Sequence, residues 1–179
     1  MRRLFIFLFL FSGIIATGQE TAQFKAQLRH AIDELVDFVS IPNDALNASD
    51  IDRNIRWLSE KFSQRGFNTS VLPTEGRPLF FAALPMKSGR PTLLFYMHFD
   101  GQSVDPSKWD QPDPYKTVLR APQGDGWRDA AFSELNDDIP YDWRLFGRST
   151  SDDKGPIVML LNTLDLIQKS GQEIPYNIK

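Results

Sequence analysis

Apolar positions recur at helical spacing at Phe24, Leu28, Ala31, Ile32, Leu35, Val36 and Val39, which predicts an amphipathic helix stopped by Pro42. Ser49 and Asp50 offer caps for a second helix with Ile51, Ile55, Leu58 and Phe62 on one face, and Gly66 marks its end. The period then shortens. Residues 69–72 and 79–84 read as short strands. Residues 92–98 form a nearly unbroken apolar run after Pro91, the pattern of a strand buried on both faces. Residues 101–141 are rich in Asp, Pro and Gly and read mostly as loop. That loop is either functional or a surface excursion pinned by Trp109 and Trp127. A polar turn, Gly147 to Gly155, leads into a helix over 156–169 with Pro156 in its first turn and Gly171 beyond its end. Residues 176–179 look like the start of another strand. Alternating helices and strands predict an α/β fold, a mostly parallel sheet flanked by helices. A chain that stops on entering a strand is expected to be an incomplete domain.

The first eighteen residues follow another rule. Arg2 and Arg3 precede an apolar stretch from Leu4 to Phe11, extended by Ile14 and Ile15, and small residues Ala16, Thr17 and Gly18 follow. This is the layout of a secretory signal peptide cleaved after Gly18, so residues 1–18 are expected to be a leader and 19–179 the mature segment, secreted or periplasmic. The apolar run is short for a membrane span, which needs roughly 20 residues, so no stable span is expected after cleavage.

Composition narrows the chemistry. The leader carries two arginines and no acid, so its removal takes the formal charge from −3 to −5. A mildly acidic chain is a poor nucleic-acid binder. There is no cysteine, so no disulfide framework exists and any metal site must use His and carboxylates.

Only two histidines are present. His30 lies within the first helix and reads as a partly exposed helix residue. His98 ends the apolar strand two residues before Asp100, and residues two apart on a strand face the same way. Both should project at the carboxyl end of the strand, where open α/β sheets bind ligands. The pair could be a buried hydrogen-bonded couple, a general base with its orienting acid, or a metal ligand held by a carboxylate behind it. A second cluster, Gly147 to Gly155, places Asp152 and Asp153 side by side. Adjacent carboxylates repel unless a cation compensates them, but the same pair could simply cap the following helix.

Together and in this order, His98-Phe99-Asp100 and Ser151-Asp152-Asp153-Lys154-Gly155-Pro156 resemble the superfamily of di-zinc exopeptidases. That group includes carnosine dipeptidases, aminoacylases, glutamate carboxypeptidases and acetylornithine deacetylases. Its pattern is a strand ending in His-x-Asp and a turn of the form Gly-Arg-Gly-x-x-Asp-x-Lys-Gly. Ser40-Ile41-Pro42 also resembles the family's usual start. Ser149 departs from the pattern, standing where the family usually has glycine. The resemblance implies a hydrolase-like catalytic domain with two zinc ions, or other divalent metals, per complete site. It implies that His98 binds one zinc, that Asp152 bridges both, that Asp100 orients His98 as a catalytic residue, and that Asp153, Lys154 and Gly155 shape the turn. The implied reaction is hydrolysis of dipeptide-like amide bonds by a metal-activated water. The general base, a glutamate in a later Glu-Glu pair, and the remaining ligands are expected beyond Lys179, so these residues alone are expected to be inactive. Deacetylation of N-acyl amino acids is the alternative reaction, and a secreted non-catalytic binding domain the alternative class. The family's inserted domain, which pairs subunits into homodimers, has no counterpart in these residues.

Overall fold

The computed structural model describes residues 13–135 and 139–179. Most of the expected leader lies outside them, and its last residues fall in the first turns of a long helix, α1 (Gly13–Val39). No described helix is long and apolar enough to cross a membrane.

The second helix, α2 (Ala48–Gln64), starts two to three residues earlier than caps at Ser49 and Asp50 would place it. Asn47 is its N-cap, and the side chain accepts a hydrogen bond from the Ser49 amide at 3.0 Å. The predicted face is the buried one: Ile51, Ile55, Leu58 and Phe62. The chain leaves α2 through Gly66 at φ +83°, a left-handed turn that glycine takes without strain. Two strands follow as an antiparallel hairpin, β1 (Asn68–Leu72) and β2 (Leu79–Ala83).

The parallel pairing expected of an α/β fold joins β3 (Thr92–Leu93) to the last strand, β7 (Asn177–Ile178). Bonds from Lys179 N to Leu93 O (2.9 Å) and from Phe95 N to Lys179 O (2.8 Å) extend the ladder, and Leu84 N bonds Ile178 O at 3.1 Å on the other side. Helix α3 (Lys154–Lys169) lies between β3 and β7 in the chain. The apolar run after β3 is more open than its sequence suggests. Leu94 and Tyr96 are 71% and 87% exposed, and only Met97 and Phe99 pack against the core. No described element covers the outer residues of this stretch.

The region expected to be loop, 101–141, holds two strands, β4 (Val118–Gln123) and β5 (Gly126–Ala130), and with β6 (Arg144–Phe146) beyond it they form a three-stranded antiparallel sheet with β4 at its centre. Leu119 and Ala121 on β4 are buried, while Arg120 lies over the Phe146 ring at 4.5 Å.

The core fills the space between the helices and β2 and β7, with Phe38, Leu58, Leu161, Val158 and Ile178 at its centre. Phe38 stacks flat on Trp57 at 3.8 Å, and the indole N–H is satisfied by Asp37 at 2.7 Å. A polar seam runs beside the core. Arg65, at the end of α2, donates to both Glu34 oxygens of α1 (3.2 and 3.1 Å) and both Asp165 oxygens of α3 (2.8 Å each). Asn162 donates to Glu34 at 2.8 Å and accepts from Gln27 at 2.6 Å.

Candidate metal centre

The site forms where the chain running on from β3 meets the turn that enters α3. His98 is half-exposed. Its Nδ1 lies 3.1 Å from the Asp100 carbonyl oxygen and 3.4 Å from the Asp100 carboxylate. Its Nε2 lies 2.9 Å from Asp152 Oδ1, and its backbone N–H donates to Asp153 Oδ2 at 3.3 Å. The two motifs, separated by about fifty residues of chain, thus meet around one imidazole.

Local backbone chemistry explains the turn. Ser149 has φ +64°, so it keeps the left-handed path that glycine would take there, and its hydroxyl accepts from Asn43 at 3.0 Å. Gly155 is required by close approach: a Cβ there would sit 2.2 Å from the Thr150 carbonyl oxygen. Asp153 stands at the N-cap of α3 but makes no side-chain cap bond, and the Asp152–Asp153 peptide is cis. The simple capping explanation of the paired carboxylates therefore fails, since one of them turns to the His98 amide and the other to its ring. Lys154 is fully buried. Its ammonium donates to Phe38 O (2.7 Å) and Ile41 O (2.6 Å) and lies 4.4 Å from the centre of the Phe38 ring. Burial pushes its pKa down to about 7, against a small opposing pull from Asp50.

Three carboxylates, Asp100, Asp152 and Asp153, thus surround His98, and among the described residues no lysine or arginine pairs with any of them. Burial acts to lower the His98 pKa, but the Asp100 carbonyl and the Asp152 carboxylate outweigh it, and the value is raised. The hydrogen-bond count makes the same point. Both ring nitrogens face acceptor oxygens, yet a neutral imidazole carries one N–H. If Nδ1 donates to Asp100, Nε2 presents a lone pair to a carboxylate. Either a second proton or a cation between Nε2 and Asp152 removes the conflict.

A zinc ion is a chemically suitable cation. Two donors that each lie about 2.0–2.1 Å from one tetrahedral zinc stand about 3.3 Å apart, so the 2.9 Å between His98 Nε2 and Asp152 Oδ1 needs to open only slightly to take the ion. Asp100 behind Nδ1 is the carboxylate–histidine arrangement that fixes the tautomer of a metal-bound ring. The fit is to one edge of a coordination sphere. Among the described residues no group of three or more His, Cys, Asp or Glu side chains could hold an ion. His30 is exposed on α1 and has no contact with this cluster. The sequence reading brought out His98, Asp100, Asp152 and Asp153 but missed Asn43. A lone asparagine in a connecting segment carries no sequence signal of its own.

No family model matches the chain. It is 22% identical over 180 residues to a Cys-Gly metallodipeptidase of Saccharomyces cerevisiae, covering 93% of this chain and 33% of that protein. It is 30% identical over 107 residues to a human beta-Ala-His dipeptidase, covering 57% of this chain and 16% of that one. The chain thus spans a third or less of the length of these relatives. Its fold matches that of human carnosine dipeptidase 1 with a TM-score of 0.66 at 20% identity, over 89% of this chain and 33% of the other. It also matches an M20 family metallo-carboxypeptidase of Sulfolobus solfataricus with a TM-score of 0.61 at 24% identity, over 83% and 29%.

Proposed function

We propose, for a chain that belongs to the superfamily of metallodipeptidases and metallocarboxypeptidases, that it carries one half of the metal centre of a hydrolase acting on short peptides. The observation behind this reading is His98, with an acceptor oxygen opposite each ring nitrogen, the Asp100 and Asp152 carboxylates beside the ring and the Asp153 carboxylate on its backbone N–H. In this reading Asp100 holds the Nδ1–H and so turns Nε2 toward the ion. Asp152, the most exposed of the three, would be the carboxylate shared between two ions. Asp153 steadies the His98 backbone. A pair of zinc ions bound there would supply an activated water and polarise the amide carbonyl. In this reading the remaining ligands and the general base come from other parts of the full protein, because among the described residues the donors gathered here are too few for two ions.

Several relatives are named for dipeptides, Cys-Gly and beta-Ala-His, which supports a small peptide as substrate. N-acyl amino acids are the alternative. The basic and apolar start of the sequence supports export to a secreted or periplasmic location.

The test is metal content beside dipeptide turnover in the protein as expressed, for wild type, His98→Ala and Asp152→Ala. Each substitution should lower zinc content and remove activity to background. An Asp152→Ala protein that kept both its metal and its rate would end the assignment.

A further inference from the structure

Both halves of the metal centre hang on a segment that belongs to neither. The link between α1 and α2, residues 40–47, runs beneath the point where the two motifs meet. Asn43 in this link is completely buried. Its Nδ2 donates to the carbonyl oxygen of Phe99, the residue between His98 and Asp100, at 2.7 Å. The same nitrogen donates to Ser149 Oγ, three residues before Asp152, at 3.0 Å. The orientation of the amide is forced, because the Phe99 carbonyl can only accept. Its backbone adds to the tie: Gly101 N donates to Asn43 O and Ala45 N to Gly101 O, both at 2.8 Å. Lys154 anchors the far side of the turn to the Phe38 and Ile41 carbonyls, just before Asn43.

We infer that Asn43 is a positioning residue for the metal centre, its carboxamide setting the spacing between His98 and Asp152 by tying the Phe99 carbonyl to the Ser149 hydroxyl. The inference rests on the proposed metal role of His98 and Asp152. Ser149 fits it closely. A glycine could take φ +64° more easily but would offer no hydroxyl to Asn43. The serine exchanges backbone ease for a bond that joins the turn to the chain beyond β3. Loss of that tie lets the two donors drift apart, and two ligands that miss their common ion by a fraction of an ångström bind it weakly.

The experiment is a zinc titration against a chromophoric chelator, run on the protein as expressed. The variants are His98→Ala, Asn43→Ala, Ser149→Ala, the Asn43→Ala/Ser149→Ala double, and Asn162→Ala. Asn162 is a buried asparagine in the polar seam between helices and serves as the control for general loosening. Asn43→Ala should weaken zinc binding roughly 10-fold or more, the range seen when groups supporting ligands are removed. Ser149→Ala should move affinity the same way by less, and the double variant should be no worse than Asn43→Ala, because both remove one shared bond. Asn162→Ala should lower the melting temperature and leave zinc affinity alone. Wild-type affinity in Asn43→Ala, with binding lost in His98→Ala, overturns the positioning role and spares the metal centre. Wild-type affinity in His98→Ala removes the metal centre and this role with it. A loss in Asn162→Ala equal to that in Asn43→Ala also overturns it, since the effect is then general. Should Asn43→Ala fail to fold, Ser149→Ala decides: unchanged affinity there overturns the proposal.

Discussion

The polar seam between the helices and the carboxylate cluster beyond β3 are both built from acidic side chains, and they solve the problem of charge in opposite ways. In the seam every acid is answered. Glu34 and Asp165 share the Arg65 guanidinium through four hydrogen bonds, and Lys61 stands 3.7 Å from Glu34. Beyond β3, Asp100, Asp152 and Asp153 share one histidine. A fold that pairs its acids so carefully in one place and leaves three of them around a single histidine in another is storing negative charge where it is exposed. Saturated charge holds helices together, and unsaturated charge awaits a cation.

Arg65→Ala would leave Glu34 and Asp165 without their shared cation, and Glu34 is only 2% exposed. Removing one partner of a buried pair costs about 3–5 kcal/mol. Chemical denaturation should show a loss of that order, while zinc affinity of the folded fraction stays unchanged. A variant as stable as wild type would mean that the seam is ornamental.

Lys154 sits between the two regions, since it is buried like the seam yet belongs to the turn. Lys154→Met would leave the Ile41 carbonyl without its donor and the Phe38 carbonyl with only the longer bond from Ile41 N (3.3 Å), at a cost of about 1–3 kcal/mol. The wild type carries a pH signature that the variant lacks. Its folded pKa of about 7 lies below the ordinary lysine value of 10.5. Between those values the unfolded chain binds the proton and the folded one does not, so this group makes stability rise with pH across that window. Metal-free wild type should therefore gain in denaturation midpoint from pH 7 to pH 9 relative to Lys154→Met. An identical slope in both proteins would show the ammonium to stay charged throughout.

The sequence disclosed these regions unevenly, for physical reasons. The helices were legible because one face of each is apolar at a regular period, as with Ile51, Ile55, Leu58 and Phe62. The meeting of His98 with Asp152 was legible because the two motifs come in a recognisable order. The β4–β5–β6 sheet was not. Pro122 lies inside β4, and the Gly124-Asp125-Gly126 turn made the region look irregular. Beside the ladder itself, Arg120 ties its strands through Asp110, Asp129 and the Phe146 ring, contacts with no period in sequence. The exposure of Leu94 and Tyr96 was hidden for a different reason: an apolar run states what a strand can bury, and burial depends on what packs against it. Asn43 was hidden because its role comes from two contacts with distant segments.

Asp100→Asn sharpens the contrast at the site itself. The amide keeps the size of the carboxylate and loses its charge, and the His98 ring can still reach the Asp100 carbonyl at 3.1 Å. Zinc should therefore remain largely bound. The rate should fall roughly 10–100-fold, because a ligand less firmly held and less basic activates the ion less well. Turnover and zinc stoichiometry measured on the same preparation check it. Loss of zinc in step with loss of rate would make Asp100 a ligand in its own right.

The smallest effect is expected at the other histidine. His30 is exposed on α1, and among the described residues no hydrogen bond or ion pair joins it to the carboxylate cluster. Alanine is the better helix former at an exposed position, by a few tenths of a kcal/mol. His30→Ala should thus shift stability by no more than about 0.5 kcal/mol in either direction and leave zinc content and turnover unchanged. The variant controls for histidine chemistry as such, because it removes an imidazole that lacks the carboxylates. If His30→Ala lowered zinc content as His98→Ala is expected to, the metal would be following imidazole rather than the arrangement of acids around it. The distinction between saturated and unsaturated charge would then lose its functional meaning.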